Sequence, residues 1–450
     1  MSVERANVLE LFEAQKDFME EKIQHGIETH RKGRAVITVK DSQGQPVKNA
    51  KIKITQTDHE FKFGANLFML DELETKEKNE TYKKVFADTF NMATLPFYWD
   101  ATEPDPGQLR YAKDSPKLYR RPPIDLCMEF CKKHGIEPRE HALAYEHFFP
   151  KWLQNASVPE IKSALTRRYE QIALRYKDLI PTIEVTNEME WAQGNTAFYE
   201  DADYVEWCFK TAETYFPGNQ LVINDHTGLP WGDRCRTTDK YYSYIEANLL
   251  KGARIDAIGM QFHMFCRAEG EYEHTRHFYD PKKLYAHMDL YARFGLPLQI
   301  TEVTIPAYSN APEDEIIQAK ILEALYAIWF SHPNVEQIIY WNLVDGYAHV
   351  WDPSPEKIKA SLGDMTLGEN YYYGGLLRFD LTPKPAYDVL WDLIKNKWHT
   401  EAQLVTDSLG QVSFKGFYGR YRVQIDTAHG VQEKALTFSS KASNLLVLEV

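Results

Sequence analysis

The sequence predicts an α/β protein built on a (β/α)8 TIM barrel, with a small β-sandwich-like accessory unit formed by its N- and C-terminal segments. Eight near-continuous apolar segments recur roughly 40 residues apart between residues 61 and 344, with helical patterns between them. Such segments are typical of parallel strands that are buried on both faces. The alternative is an open doubly wound sheet, which usually carries a glycine-rich phosphate turn after its first strand. Here the first strand is followed by MLDELETKEK, which is not glycine-rich.

The elements follow in order along the chain. Residues 1–33 carry a loose amphipathic pattern and are predicted to be helical. Residues 34–58 alternate apolar and polar side chains around a Gly-Gln-Pro turn, which predicts a β-hairpin. The catalytic barrel is expected over 59–398, and strand-like alternation returns over 399–450. Because neither end is long enough for a stable sheet alone, we expect the two to pack together as one accessory domain.

The eight predicted barrel strands share apolar and often β-branched side chains. They cover residues 61–68, 90–97, 137–145, 180–188, 220–226, 257–263, 297–303 and 337–344. Clear helical patterns lie between or after them at 161–177, 313–330 and 384–398.

Composition excludes several classes of function. The net charge is -13, which argues against nucleic acid and against an anionic membrane as a partner. Aromatic residues make up 13% of the chain, a content that suits stacking on sugar rings but can also fill a core. Neither a signal-peptide pattern nor an apolar run of roughly 18 residues is visible. We therefore expect a cytoplasmic protein, or a secreted one if a signal has been removed; the oligomeric state stays open.

Polar and aromatic side chains are concentrated where the predicted strands end. In a barrel of this kind, chemistry takes place at the C-terminal ends of the strands. A purely structural scaffold has no need of polar groups at so many strand ends. The candidates are His141, Asn187, Glu188, Asn224, Gln261, His263, Glu302 and Trp341.

Glu188 and Glu302 stand out because each follows an apolar strand, the fourth and the seventh. These strands lie on opposite sides of an eight-stranded ring, so the two carboxylates can face each other across its mouth. Paired carboxylates perform glycoside hydrolysis, one as the proton donor and the other as the nucleophile or as the base that activates water. A lone glutamate is more often a salt-bridge partner, but two at matching strand ends favour catalysis.

The order of short motifs resembles family-10 glycoside hydrolases, the main family of retaining endo-β-1,4-xylanases. The resemblance covers about residues 60–395. Its motifs, in chain order, are WDATEP (99–104), His141 with FPKWL (149–153), VTNE (185–188), INDH (223–226), IGMQFHM (258–264), ITEV (300–303), IIYWNLVD (338–345) and LLRFDLTPKPAY (376–387). Any one of these motifs alone is weak, and their shared order makes the resemblance specific.

The resemblance implies a role for each matched residue. Glu188 is implied as the general acid/base and Glu302 as the nucleophile, with Asn187 holding the sugar 2-OH. Gln261 and His263 are implied to orient Glu302. The sugar on the non-reducing side of the scissile bond is implied to lie against His141 and Trp341. The expected sugar-binding set also includes Trp99, Asn224 and Tyr145.

The sequence departs from the family where the second sugar on the non-reducing side is normally held. Leu95 and Tyr98 replace an amide and an ammonium group, and Tyr145-Glu146 replaces a Trp-His pair. Loss of polar groups removes selectivity for sugar hydroxyls. We expect aromatic side chains to stack on the substrate instead; the candidates are Tyr98, Tyr145, Trp191, Trp231, Trp341, Tyr347 and Trp351.

The predicted function is a retaining endo-β-1,4-xylanase-like hydrolase of a xylan-type polysaccharide, with no cofactor and no metal. Alternatives within the same class are another β-glycan or a decorated or aglycone-bearing glycoside. A carbohydrate-binding barrel without catalysis is a further alternative, against which the retained acids argue. A metal-dependent hydrolase could use Asp225, His226 and His263, but the spacing of these residues matches no known metal motif.

Overall fold

The structure, a computed structural model, describes residues 5–191, 196–350, 354, 358–359, 362–427 and 430–450. Its centre is a closed ring of eight parallel strands, which we number first to eighth in chain order. The eighth strand pairs with the first, with Ile338 opposite Phe63, and this pairing closes the ring. The strands are Lys62–Asn66, Met92–Pro96, Glu137–His141, Thr182–Asn187, Gln220–Asn224, Ala257–Gly259 continued by Phe262–His263, Leu298–Thr304 and Val335–Tyr340. The predicted (β/α)8 barrel is thereby confirmed.

Helices cover the outside of the ring. The longer ones are Lys76–Thr89, Ile124–His134, Val158–Tyr176, Tyr204–Tyr215, Lys240–Leu250, Pro281–Ala292, Pro312–Ser331 and Pro385–Asp392. Short α-helices lie at Trp99–Thr102, Ala197–Glu200 and Glu271–Thr275. Single turns of 3-10 helix, among them Glu146–Phe148 and Met189–Trp191, follow the third and fourth strands and shape the mouth of the barrel.

Local sequence explains where these helices begin and end. The helix Val158–Tyr176 starts with a capping box in which the backbone N–H of Ser157 donates to the Glu160 carboxylate at 2.8 Å. The helix Ile124–His134 stops at Gly135, whose φ of 67° is the left-handed conformation that glycine adopts without strain. The chain then turns directly into the third strand, which carries His141 to the mouth.

The N-terminal segment is helical, as its pattern predicts, and packs against the outside of the barrel. It consists of Arg5–Leu9, Glu10–Ala14, Lys16–Gly26 and Ile27–Arg31. Arg5 is buried and forms ion pairs with Glu271 at 2.8 Å and with Asp314 at 2.9 Å. These pairs fix the start of the chain against two separate parts of the barrel layer. Among the described residues, no helix is long and apolar enough to cross a membrane.

The remaining strands form two small sheets from both ends of the chain. One sheet contains Gln411–Phe417, Lys32–Lys40 and Leu445–Glu449, in that order. The other contains Glu401–Val405, Lys51–His59, Gly419–Thr427 and Gly430–Phe438. Alternate side chains of both sheets, such as Ile37 and Val423, are buried in a core of their own. The β-sandwich-like accessory unit therefore contains segments from both ends, as the sequence predicts.

The predicted hairpin over 34–58 is wrong in its pairing. Lys32–Lys40 pairs with Gln411–Phe417 and Leu445–Glu449, whereas Lys51–His59 lies in the other sheet. Alternation shows that both segments are strands with one buried face, but it does not show which strands are neighbours. Each segment pairs instead with strands from the C-terminal part of the chain, and the two segments face each other across the sandwich core. The domain boundaries themselves stay predictions.

Candidate active site

Glu188 and Glu302 lie at the C-terminal mouth of the barrel. Glu302 belongs to the seventh strand and its residue surface is only 2% exposed. Glu188 directly follows the fourth strand and has a φ of 49°, in the left-handed region that residues other than glycine rarely occupy. Backbone strain of this kind concentrates at functional sites, where the surrounding structure has to hold it in place. Here the Glu188 N–H donates to the carbonyl of Asn224 at 3.2 Å.

Two hydrogen bonds hold the Glu302 carboxylate. Its Oε1 accepts from Nδ2 of Asn224 at 3.0 Å, and its Oε2 lies 3.2 Å from Nε2 of His263. The other ring nitrogen of His263 lies 2.9 Å from the hydroxyl of Thr304. When Glu302 is ionised, it can only accept, so Nε2 donates and Nδ1 accepts from Thr304. The predicted role of His263 in orienting Glu302 fits this contact.

A second set of hydrogen bonds holds Glu188. The hydroxyl of Tyr145 donates to Oε2 at 2.5 Å, and Nε2 of Gln261 donates to Oε1 at 3.0 Å. Gln261 also donates to Oδ1 of Asn187 at 3.1 Å. Gln261 was expected beside Glu302, but its amide contacts Glu188 instead. One amide thus ties the acid to the residue that precedes it and limits the side-chain freedom of both.

The amide of Asn224 links Glu302 to Asn187 and to a third acid, Glu184. Its Nδ2 donates to Asn187 at 3.0 Å and to Glu184 at 3.2 Å, in addition to Glu302. The neighbouring sixth strand has a glycine at this level for a steric reason. A Cβ atom at Gly259 would lie 2.3 Å from Oδ1 of Asn224 and would push the amide out of place. The glycine is therefore part of what positions this amide.

Glu184 is the central residue that sequence reasoning missed. It is fully buried inside the barrel and accepts hydrogen bonds from Arg139, from Nδ1 of His141 at 2.8 Å and from Asn224. The sequence did contain a signal for it. Alternate residues of a strand point to the same side, and Glu184 lies two residues before Thr186, as Arg139 lies two residues before His141. The ion pair of Glu184 with Arg139 therefore holds the imidazole of His141 from inside the barrel.

Burial and neighbouring charges shift the pKa values of the ionisable groups of the site. Burial, joined by the nearby Glu184 and Glu188 carboxylates, raises the pKa of Glu302 to about 8, although His141 and Arg139 oppose the shift. Burial lowers the pKa of His263 to about 4. Burial also acts to lower the pKa of His141, but the adjacent Glu184 carboxylate outweighs it and the pKa of His141 is raised. The site thus gathers more carboxylates than cations.

Trp341 forms an aromatic wall beside the acids, as its position in the sequence predicts. Its ring centroid lies 5.4 Å from that of His141 and 5.8 Å from that of His263. Trp99 is not part of this group. Its ring packs against Phe149 and Trp152, and its indole N–H donates to Glu103 at 3.0 Å. Trp99 was expected at the sugar, but it begins a short helix whose buried face takes the ring into the core.

Most of the expected stacking platforms are buried by their neighbours. Tyr98, Trp231 and Tyr347 are 3%, 1% and 1% exposed, and Trp231 donates its N–H to the carbonyl of Gln261. Trp191, by contrast, is 53% exposed and lies 4.7 Å from the ring of His226. Trp351 lies outside the described residues. Among the described side chains of this set, Trp191 alone offers a largely exposed ring face.

One group of side chains in the described part of the chain could hold a metal ion. Ligand atoms of His141, Glu184 and Glu302 all lie within 4.8 Å of one another. Hydrogen bonds from His141 and Asn224, together with the Arg139 cation, account for this geometry without an ion. The sequence places Asp225, His226 and His263 in a different candidate set, and His226 is bound to Glu190 at 2.7 Å. Absence of a metal and of a cofactor stays a prediction.

A cavity of about 590 Å³ lies at the opposite end of the barrel. It is lined by residues at the N-terminal ends of the strands, such as Lys62, Glu137 and Glu336, and by Tyr418 of the accessory unit. In this fold that end serves stability, and reactions take place at the other. We therefore place the candidate active site at the mouth with the two acids.

The fold and the site define a class: a (β/α)8 barrel with a carboxylate pair held by amides and imidazoles at its mouth. The chain belongs to glycosyl hydrolase family 10, whose family model matches residues 55–392. The family match covers the whole barrel and begins within the last strand of the N-terminal part of the accessory unit.

Curated relatives are identical to this chain at about a quarter of the aligned positions. "Anti-sigma-I factor RsgI6" from Acetivibrio thermocellus is 26% identical over 402 residues, which cover 88% of this chain and 45% of the relative. "Endo-1,4-beta-xylanase 1" from Arabidopsis thaliana is 25% identical over 369 residues, which cover 78% of this chain and 32% of the relative. The chain thus spans less than half the length of these relatives.

Solved structures agree on the fold. Native xylanase 10B from Thermotoga maritima superimposes with a TM-score of 0.57 at 21% identity, covering 75% of this chain and 96% of that one. Xylanase 10B from Thermotoga petrophila RKU-1, in complex with xylobiose, gives a TM-score of 0.57 at 19% identity, with 75% and 95% covered. The part of the present chain left uncovered corresponds in size to its two terminal segments.

Proposed function

We propose that the chain is a retaining β-glycoside hydrolase of the endo-1,4-β-xylanase type that acts on a xylan-type β-glycan. The observation that carries the proposal is the pair Glu188 and Glu302, which one continuous hydrogen-bond network joins through Asn187, Asn224 and Gln261. Family membership and the relatives named xylanases support the same reaction class. Another β-glycan or a decorated glycoside remains within this class.

Each acid has a distinct role in the proposed double displacement. Glu302 attacks the anomeric carbon, the bond from that carbon to the glycosidic oxygen breaks, and Glu188 gives its proton to the departing oxygen. Glu188 then takes a proton from water, whose oxygen attacks the same carbon and releases Glu302. Two inversions give net retention. This mechanism requires the two carboxyl groups to lie roughly 5–5.5 Å apart.

The neighbours of the acids supply orientation. Asn187, which is tied to Asn224 and Gln261, is positioned to hold the sugar 2-OH beside Glu188. His263 and Asn224 hold the two oxygens of Glu302 and so fix its direction of attack. His141 and Trp341 line the site for the sugar on the non-reducing side of the scissile bond.

Neighbouring carboxylates act on the ionisation of Glu302. The charges of Glu184 and Glu188 add to burial in disfavouring its ionised form. The reactive form carries the proton on Glu188 and the charge on Glu302. Because its pKa is raised to about 8, Glu302 itself holds a proton at neutral pH before substrate binds. The surrounding donors, Asn224 and His263, favour the charge on Glu302 when substrate is bound.

The test compares Glu302→Ala with Glu188→Ala on aryl β-xylosides with good and poor leaving groups. Without the nucleophile, every substrate loses at least about a thousandfold in kcat/KM. Without the acid, poor leaving groups lose about 10²–10⁴-fold and good ones much less, because they depart without a proton. Azide restores turnover only in Glu188→Ala, and the product is a β-glycosyl azide.

The matched control is Glu190→Ala, which removes the neighbouring acid that binds His226 and Lys240 at 2.7 Å each. It retains turnover on both leaving groups. Equal losses in the Glu188 and Glu302 variants on every leaving group, with no effect of azide, are incompatible with the assigned roles.

A second candidate is a carbohydrate-binding barrel without turnover. The relative named an anti-sigma-I factor favours it, because that name describes no hydrolase. Calorimetric titration with xylohexaose at high protein concentration, followed by product analysis, separates the two candidates. Binding with the oligosaccharide left intact after long incubation supports the second, and appearance of shorter sugars supports the first.

A further inference from the structure

One side of the barrel mouth is filled by aromatic rings. Tyr98, which follows the second strand, is 3% exposed and its hydroxyl lies 3.0 Å from Nε2 of His141. The ring of Phe148, on the turn Glu146–Phe148, lies 4.1 Å from that of Tyr98. Phe68 lies behind them, 5.7 Å from Tyr98 and 5.2 Å from Trp341. The rings therefore form a continuous layer from the wall of the sugar site outward.

Arg121 closes this layer from the loop between the short helix Trp99–Thr102 and the helix Ile124–His134. Its guanidinium carbon lies 3.9 Å from the ring centre of Tyr98, 4.9 Å from that of Phe148 and 5.5 Å from that of Phe68. A cation over three ring faces is a favourable arrangement that gains strength from burial. We call Phe68, Tyr98, Arg121 and Phe148 the aromatic plug.

The plug occupies the end of the mouth on the non-reducing side in the proposed function. There the sugar that reacts lies against His141 and Trp341, and both of these rings contact the plug. A second sugar on the same side has to pass beyond these two rings, where Tyr98 and Phe148 already lie in contact. Tyr98 cannot stack on it either, because its face is covered by Arg121.

The opposite end of the mouth presents an exposed aromatic ring among the described residues. Beyond Glu188 the chain presents Trp191, which is 53% exposed, against the ring of His226. His226 and Lys240 are held there by Glu190. An exposed indole face beside polar groups suits a sugar ring, which has apolar faces and hydroxyl edges. An exposed binding surface therefore lies on the side to which the leaving group departs.

We propose that the site accepts a single sugar on the non-reducing side of the scissile bond, so that the enzyme removes one sugar at a time from the non-reducing end of its substrate. This inference rests on the proposed function. It keeps the retaining hydrolysis of a β-glycan and moves the point of cleavage from within the chain to its non-reducing end. Phe148 and Arg121 are specificity-determining residues, because they exclude the second sugar without touching the acids.

The test uses 4-nitrophenyl β-xyloside, 4-nitrophenyl β-xylobioside and xylohexaose labelled at its reducing end. The wild-type protein releases nitrophenol from the xyloside with a kcat/KM at least about tenfold above that for direct release from the xylobioside. Labelled xylohexaose first yields xylose and labelled xylopentaose. Labelled xylobiose or xylotriose among the first products overturns the inference.

Two variants test the plug itself. Phe148→Ala and Arg121→Ala each raise direct nitrophenol release from the xylobioside at least about fivefold and leave release from the xyloside within about threefold. The matched control is Phe149→Ala, whose ring packs against Trp99 and Tyr199 and not against Tyr98; it gains nothing on the xylobioside. If neither plug variant gains this activity, the assignment of the plug as the barrier is overturned.

The outcomes separate this inference from the proposed function. Efficient wild-type release from the xylobioside with none from the xyloside overturns the single-sugar site and leaves a retaining hydrolase intact. No release by the wild type from any of the three substrates overturns both.

Discussion

The two halves of the barrel mouth differ in how they hold their shape. The polar half, from the fourth to the seventh strand, consists of Asn187, Glu188, Asn224, Gln261, His263 and Glu302. The aromatic half, from the eighth strand through the first to the third, contains Trp341 and the aromatic plug. One half depends on directional hydrogen bonds and the other on contact between rings.

This difference separates reaction from recognition. The polar half contains the groups that the proposed reaction needs, and each has a specific partner. The aromatic half holds the residues that depart from the family pattern, Leu95 and Tyr98, in positions expected to bind a distant sugar. Ring packing meets the hydrogen-bond network at two side chains of the third-strand side, His141, which Tyr98 contacts, and Tyr145, whose ring packs against Phe148 and whose hydroxyl donates to Glu188. Elsewhere in this half, substitution leaves the acids in place.

The largest expected effect is on stability and comes from breaking the buried ion pair that Glu184 forms with Arg139 beneath the polar half. Glu184→Ala leaves the Arg139 cation and His141 without their carboxylate inside the barrel, and this loss lowers the free energy of unfolding by about 3–5 kcal/mol. Phe148→Ala truncates a partly buried ring and lowers the free energy of unfolding by about 1 kcal/mol. Urea unfolding of the two variants measures the difference.

The control for charge is the double variant Glu184→Met with Arg139→Met, which removes both ions together. It loses less stability than Glu184→Ala, because no unpaired charge stays buried. If Glu184→Ala is as stable as Phe148→Ala, the buried ion pair of the polar half contributes no more to the free energy of unfolding than a ring contact of the aromatic half.

A second, smaller effect concerns pH and Glu302. Its folded-state pKa of about 8 lies above the ordinary carboxyl value, so the folded protein binds this proton more tightly than the unfolded chain. The resulting stabilisation is complete below about pH 4.5 and is lost as pH rises through 8. Glu302→Gln cannot ionise and escapes this loss. Relative to wild type it gains about 2–3 kcal/mol between pH 5 and pH 8 in urea unfolding.

Glu190→Gln serves as the control for this comparison. The pKa of Glu190 is lowered, since Lys240 and His226 outweigh its partial burial. Its contribution to stability is lost only as pH falls below the ordinary carboxyl range, so its difference from wild type stays nearly constant from pH 5 to pH 8. A parallel pH profile for both variants contradicts the raised pKa of Glu302.

Sequence patterns were sufficient for the barrel and for the positions of the two acids. A buried parallel strand has a continuous apolar run, and the polar residue that ends it points to the mouth, so eight strands and Glu188 and Glu302 could be located without a structure. The pairing of the terminal strands could not be predicted, because alternation of apolar and polar residues does not show which strands are neighbours. Lys32–Lys40 and Lys51–His59 illustrate this limit.

Burial of aromatic side chains was the other feature beyond the reach of the sequence. Tyr98 and Trp191 both follow barrel strands and look alike as stacking candidates. Tyr98 is covered because Phe148 and Arg121, which lie far from it in sequence, converge on its ring. Glu184 was missed for a related reason. A carboxylate inside an apolar strand is explained only by the position of Arg139, which lies beside it on the neighbouring third strand.

The smallest expected effect tests the end of the mouth that presents Trp191. Trp191→Ala removes an exposed ring that contacts only His226 among its aromatic neighbours in the described residues, so the fold is unaffected. Loss of one stacking contact costs about 0.5–1.5 kcal/mol, which raises KM for xylohexaose about two- to tenfold. Because the indole contacts neither acid, kcat stays within about twofold. Trp391→Ala, which truncates another partly exposed indole on the helix Pro385–Asp392, is the control and leaves KM unchanged. A KM for xylohexaose equal to that of wild type in Trp191→Ala shows that the leaving group takes a different path from the barrel.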